Sequence, residues 1–135
     1  MLGRQPRERI ARRRLTRMSR KPALIKLVNL EAGMPTVEEA RQRLERELNA
    51  ARDQKVTALR VVHGYGSSGV GGALRLAIQL RLQELRQSGA IREVIYGENW
   101  RVADEASWKW LQRYPEWKQD RDLGRQNKGI SIVVL

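Results

Sequence analysis

From residue 24 onward the spacing of apolar positions changes period several times, and each change marks an element. Leu24–Leu30 is a short, mostly apolar run and predicts a strand. Thr36 follows Pro35 and precedes Glu39 by three residues, the pattern of a capping box at a helix start. Val37, Ala40, Leu44, Leu48 and Ala51 then recur at spacings of three and four, predicting an amphipathic helix over 36–52. Val56–Val62 predicts a second strand. A glycine-rich loop over 64–72 leads into a helix from about Gly72 to Gln87, which Gly89 ends. The expected buried stripe of that helix is Leu74, Ala77, Ile78, Leu82 and Leu85, with Leu76 and Leu80 outside it. Ile91–Tyr96 predicts a third strand. Residues 97–128 form an irregular insert with a short helix over 104–113, and Ile130–Leu135 is a closing strand of strong β-formers. This order predicts a small two-layer α/β domain with both main helices on one face of the sheet.

Length and charge refine the picture. A chain of 135 residues favours one domain. Its 27 Lys and Arg against 15 Asp and Glu give a formal balance of +12, which points to a polyanionic partner. The excess is unevenly placed. Residues 1–26 hold ten basic side chains and one acid, a net of +9, whereas residues 27–135 hold 17 and 14, a net of +3. Residues 1–22 therefore read as a basic arm, too poor in large apolar side chains to fold alone, with Arg12, Arg13 and Arg14 as candidate phosphate contacts. The expected folded domain is 23–135. With no cysteine there is no thiolate metal site, disulfide or cysteine nucleophile, and one histidine cannot build a multi-histidine centre. No metal and no cofactor are expected. The run Ala23–Leu30 is too short to span a bilayer and is broken by Lys26 and Asn29. A mitochondrial presequence would share the arm's composition, but the expected location is cytoplasmic, with nucleic acid favoured over a membrane surface as partner.

The segment most informative for chemistry runs from the end of the second strand into the next helix. His63 is followed by Gly64, Tyr65, Gly66, Ser67, Ser68 and Gly69, and Arg75 lies beyond Gly71 and Gly72. Exposed amides at a helix start attract anions, glycines allow a phosphate close to the backbone, and the two serines and Arg75 add donors. The alternative is a plain flexible connection. Residues 64–69 also spell G-x-G-x-x-G, but no acidic residue closes the following strand as a dinucleotide site requires, and no Gly-Lys-Ser/Thr marks a Walker loop. His63 suits proton transfer near neutral pH, or equally a structural hydrogen bond that shapes the loop.

His63-Gly64-Tyr65-Gly66, followed by Gly-Gly-Ala-Leu-Arg at 71–75, resembles the signature of the small MutS-related (Smr) domain. The strand ending Leu27-Val28-Asn29-Leu30, the Thr36–Ala40 helix start and the Gly129–Leu135 close follow that family's order over roughly residues 24–135. The resemblance implies an α/β two-layer sandwich with a mixed four-stranded sheet. It also implies nucleic-acid binding and, for many members, endonuclease or nicking activity on DNA or RNA, some of them at ribosomes. The family's first motif, similar to Leu-Asp-x-His, is here Val28-Asn29-Leu30-Glu31. Asn29 at the Asp position cannot take a proton, so it is expected to be inactive, while Glu31 at the His position can. The reading that follows is a nucleic-acid-binding Smr-type domain, RNA slightly ahead of DNA and ribosome association possible. One alternative is an active endonuclease using Glu31 and His63 as acid and base. Another is a basic-arm adaptor for a protein or an acidic membrane.

Six of the seven aromatic residues lie between Tyr96 and Trp117. With Arg101, Lys109, Arg113 and Lys118 between them they could stack on unpaired bases. As the chain has no phenylalanine, they could equally supply missing core volume, and that is the expectation for most of them. Trp108 and Leu111, three apart, are expected to face inward, leaving Trp110 as the exposed candidate for a nucleic-acid contact. Tyr65, alone in the glycine loop, is the stronger candidate for a base or sugar.

Overall fold

A computed structural model describes residues 22–66 and 69–135. Its elements run β1 (Ile25–Asn29), α1 (Val37–Asp53), β2 (Ala58–Val62), α2 (Gly69–Gln87), β3 (Glu93–Tyr96), α3 (Glu105–Arg113) and β4 (Ile130–Val134). Short 3-10 turns over Gly97–Asn99 and Pro115–Gln119 lie before and after α3. The four strands form one sheet in the order β1-β2-β4-β3. β1 and β2 are parallel, and β4 runs antiparallel to both its neighbours, so the sheet is mixed as expected.

α1 starts where the capping box requires. The Glu39 amide donates to Thr36 Oγ1 at 3.1 Å, and the Thr36 amide donates back to Glu39 Oε1 at 3.3 Å. These two bonds satisfy donors that a helix start otherwise leaves orphaned. Ala40, Leu44, Leu48 and Ala51 are buried, as their spacing predicts. α2 contributes Leu74, Ile78, Leu82 and Leu85 to the same core, which rests on Val28, Leu59, Val61 and Val133 of the sheet. Leu76 and Leu80 stay exposed, as their phase predicts. α2 begins at Gly69 rather than Gly72, because the last three glycines of the expected loop form its first turn.

The insert between β3 and β4 has a larger structural role than its irregular sequence suggests. Strand side chains alternate between faces, so Ala58, Ile130, Ile132, Val134 and Ile95 point away from α1 and α2. Trp100, Trp110, Leu111 and Trp117 cover them, and Ala23 joins the same cluster. The face that a two-layer arrangement leaves open is thus sealed by residues 97–128. Each buried tryptophan also places its indole N–H on an acceptor: Trp100 on Asp120 at 3.0 Å, Trp110 on Glu93 at 3.3 Å and Trp117 on the Ala23 carbonyl at 2.6 Å.

Trp110 is therefore not the exposed ring expected from its spacing. It is 3% exposed, whereas Trp108 is 44% exposed. The inward side of α3 carries Ser107, Trp110 and Leu111, with Tyr114 stacked beyond Trp110. Asp104 caps the helix by accepting from the Ser107 amide at 3.0 Å, and the Ser107 hydroxyl donates to the Asn99 carbonyl at 2.7 Å. These bonds fix the rotation of α3 so that position 110 points inward and position 108 outward.

Arg60 lies in the central strand β2 on the insert-facing side and is itself buried. It pairs with Asp120, and its Nε lies 2.8 Å from Asp122 Oδ2. Burial lowers the guanidinium pKa, and Asp122 acts in the opposite sense. Removing one side of such a buried network strands the opposite charges. Arg60→Leu is expected to cost about 3 kcal/mol in urea denaturation. Adding Asp120→Asn and Asp122→Asn to that variant should recover a substantial part of the loss.

Candidate functional site

β4 enters the sheet beside the C-terminal end of β2, with Ile130 opposite Val62. This register brings the turn before β4 against the loop after β2. The amides of His63 and Gly64 both donate to the Gly129 carbonyl, at 3.0 and 3.1 Å. The Gly129 amide donates in turn to Asn127 Oδ1 at 3.0 Å.

His63 is fully buried at this junction. Its Nδ1 lies 2.8 Å from the Gly64 carbonyl and its Nε2 lies 2.9 Å from Ser131 Oγ. A carbonyl only accepts, so Nδ1 carries the proton, and in the neutral ring Nε2 accepts from the serine hydroxyl. Desolvation pushes the pKa below the ordinary imidazole value, and nearby Arg75 pushes the same way. The Gly64 carbonyl and Glu98 oppose them. Both ring nitrogens are committed to the protein, so His63 acts as a neutral pin that ties β2, β4 and the loop together. These two bonds are what the shape-holding role requires.

The other first-motif positions lie on the neighbouring turn. Asn29 Oδ1 accepts from the amides of Glu31 and Ala32, at 3.0 and 3.1 Å, and so shapes the chain as it leaves β1. An acceptor oxygen suffices for that task, and asparagine supplies one. Glu31 is exposed, and its carboxylate lies over the Gly64 Cα, in the space a side chain at position 64 would take. Gly64 also has φ +79°, a left-handed conformation that favours glycine.

Tyr65 projects from this pinned loop and is 54% exposed. Two cations flank its ring: the Arg75 guanidinium carbon at 5.3 Å from the centroid and Lys128 Nζ at 5.2 Å. Arg75 also donates to Glu98 at 3.0 Å, which anchors it on α2 beside the loop. The Nε of Arg75 is buried without a hydrogen-bond partner among the described residues. Gly66, at φ +100°, completes the described part of the loop. Gly69 is the first residue of α2, and Gly72 has open space where a Cβ would stand. Ser67, Ser68, Arg12, Arg13 and Arg14 lie outside the described residues. Among the described residues no three His, Cys, Asp or Glu side chains gather as a metal-ligand set.

The sequence profile of the Smr domain matches residues 32–99, half of the chain. The chain belongs to the Smr family. Members of this family generally bind nucleic acid. Among solved structures, the Smr domain of Thermus thermophilus MutS2 is similar at 23% identity with a TM-score of 0.50. The match covers 82% of this chain and 98% of that one, and it supports the same fold. No curated protein matches the chain. In this Smr domain the profile match ends at residue 99, so Lys128 and Ser131 lie beyond it, although both reach the His63–Gly66 loop. Sequence reading missed these two residues. Pairing the closing strand antiparallel with β2 would have found them, because that register places the start of β4 at the end of β2.

Ser131→Ala leaves His63 Nε2 without its donor and is expected to lower stability by about 1–2 kcal/mol in chemical denaturation. Because the folded pKa of His63 lies below the unfolded value, the unfolded chain takes up the proton first as pH falls. The histidine's contribution to stability is complete above the ordinary imidazole value of 6.5 and declines below it, toward the depressed folded pKa. A His63→Gln variant should lose that part of the acid sensitivity, read as a flatter dependence of the urea midpoint between pH 7 and 5.

Proposed function

We propose that this Smr domain binds nucleic acid at the mouth of the His63–Gly66 loop, with Tyr65 stacking on a base or sugar and Arg75 and Lys128 holding flanking phosphates. The observation that carries this reading is the half-exposed Tyr65 ring set between two cations, next to residues that hydrogen-bond to Gly129. Aromatic rings stack on any unpaired base, and neighbouring cations neutralise the backbone. The basic arm, carrying most of the +12 excess, adds affinity without sequence preference. Single-stranded RNA is the first partner to test, ahead of DNA, and structured RNA of the ribosomal kind is the natural second.

Binding takes precedence over cleavage in this reading because His63 has no ring nitrogen free for a substrate. Glu31 is the specific feature favouring the endonuclease alternative. It is an exposed carboxylate over Gly64, within the same loop mouth, and could act as a general base on an RNA 2′-hydroxyl.

In fluorescence anisotropy with a labelled single-stranded RNA, Tyr65→Ala should weaken binding about tenfold, in line with about 1–3 kcal/mol per stacked base. Arg75→Gln with Lys128→Gln should weaken it and reduce its salt dependence. Unchanged affinity in both variants would remove the loop as the binding site. If the protein also cuts RNA, Glu31→Gln should abolish cleavage while preserving affinity.

A further inference from the structure

The insert distributes its charges in a way its formal count hides. Residues 97–128 contain seven Lys and Arg and six Asp and Glu, close to neutral on paper. All seven bases are exposed, whereas Glu105 alone among the six acids is. The other acids are turned to internal tasks. Asp120 and Asp122 meet Arg60, and Glu98 meets Arg75. Asp104 caps α3, and Glu116 accepts from the Ala23 amide at 3.1 Å. The outer surface of the insert is therefore cationic.

An aromatic ring sits within that surface. Trp108 is 44% exposed on the outward side of α3; Lys109 and Arg113 of the same helix are also exposed, with their charged ends over the rings of Trp110 and Tyr114. Lys118, from the following 3-10 turn, places its Nζ 5.6 Å from the Trp108 ring centroid. Val102, also exposed, adds apolar area before α3. The other three tryptophans are buried and hydrogen-bonded, so core packing does not account for Trp108. An exposed indole among cations, on a face where Glu105 is the one exposed acid of the insert, matches the chemistry of single-stranded nucleic acid: a π-face for a base and positive charge for its phosphates.

We infer that the insert is a second nucleic-acid contact surface, in which Trp108 stacks on an unpaired base while Lys109, Arg113 and Lys118 neutralise the adjoining backbone. This extends the loop-mouth reading and rests on it. Trp108, Lys109, Arg113 and Lys118 all lie beyond the Smr profile match, which ends at residue 99.

The test uses the full chain, with a single-stranded RNA oligonucleotide and, separately, phosphatidylserine-containing vesicles. Oligonucleotide should quench tryptophan emission in the wild type, and Trp108→Ala should remove that change because the remaining indoles are shielded. The combined Lys109→Gln, Arg113→Gln and Lys118→Gln variant should reduce the slope of log affinity against log salt by about 2, at about 0.7 for each phosphate contact on a single strand. The inference is overturned if neither variant alters binding while Tyr65→Ala does, an outcome that leaves the loop mouth as the site. It is also overturned if vesicles, and not oligonucleotide, change Trp108 emission. A wild-type chain that binds no oligonucleotide overturns the loop-mouth reading and this inference together.

Discussion

The antiparallel pairing of β4 with β2, at the centre of the sheet, is the constraint on which the other features depend. It sets Ser131 beneath His63 and lays Gly129 against the His63 and Gly64 amides. It also brings Lys128 to the Tyr65 ring. None of these contacts is local in sequence. The other antiparallel partner of β4, the preceding strand β3, makes the insert topologically unnecessary, because adjacent antiparallel strands can be joined by a two-residue turn. The chain instead travels over the open face of the sheet and back. The apolar side chains on that face and the buried Arg60 supply the physical reason, since both need cover that a tight turn could not provide.

The first residues of the loop, His63 and Gly64, are tied to that seam. Fixing glycines carries an entropy cost, which hydrogen bonds from outside the loop offset at its start. The Gly129 carbonyl takes two amides, and His63 spans the Gly64 carbonyl and Ser131. The imidazole can fill that role because burial keeps it neutral, so one nitrogen donates while the other accepts. Both ring nitrogens of His63 are thus engaged within the protein, while Tyr65, Lys128 and Glu31 are exposed around the same loop and Arg75 is half-buried beside it.

What could be read from sequence was what depends on near neighbours. The Thr36–Glu39 box, the α1 stripe and the exposure of Leu76 and Leu80 all follow from spacing within one helix. The His63–Gly66 motif marked the end of the sheet where the loop residues gather. Phase failed at α3, a helix of nine residues whose rotation is set by the Asp104 cap and the Ser107–Asn99 bond rather than by a long apolar stripe. With Trp108 and Trp110 only two positions apart, period alone could not decide which faced the sheet. Arg60 in a run of apolar residues was a signal of a different kind, since a cation there demands acids on the covering layer. Asp120 and Asp122 are 60 and more positions away, and spacing cannot join them.

Charge illustrates the same limit. A formal count weighs Asp122, held against Arg60 beneath the insert, equally with Glu105, which faces water. A polyanion approaching the surface does not weigh them equally. A buried acid next to a buried base contributes a short-range dipole, while an exposed lysine or arginine contributes a full charge within reach of a phosphate. The near-neutral insert consequently offers an outward cationic face without the self-repulsion of a strongly basic segment, because its acids neutralise Arg60 and Arg75 from within. The net charge of +12 pointed to a polyanionic partner through the arm. Folding adds a basic surface that this number does not contain, generated by the direction in which each acid is turned.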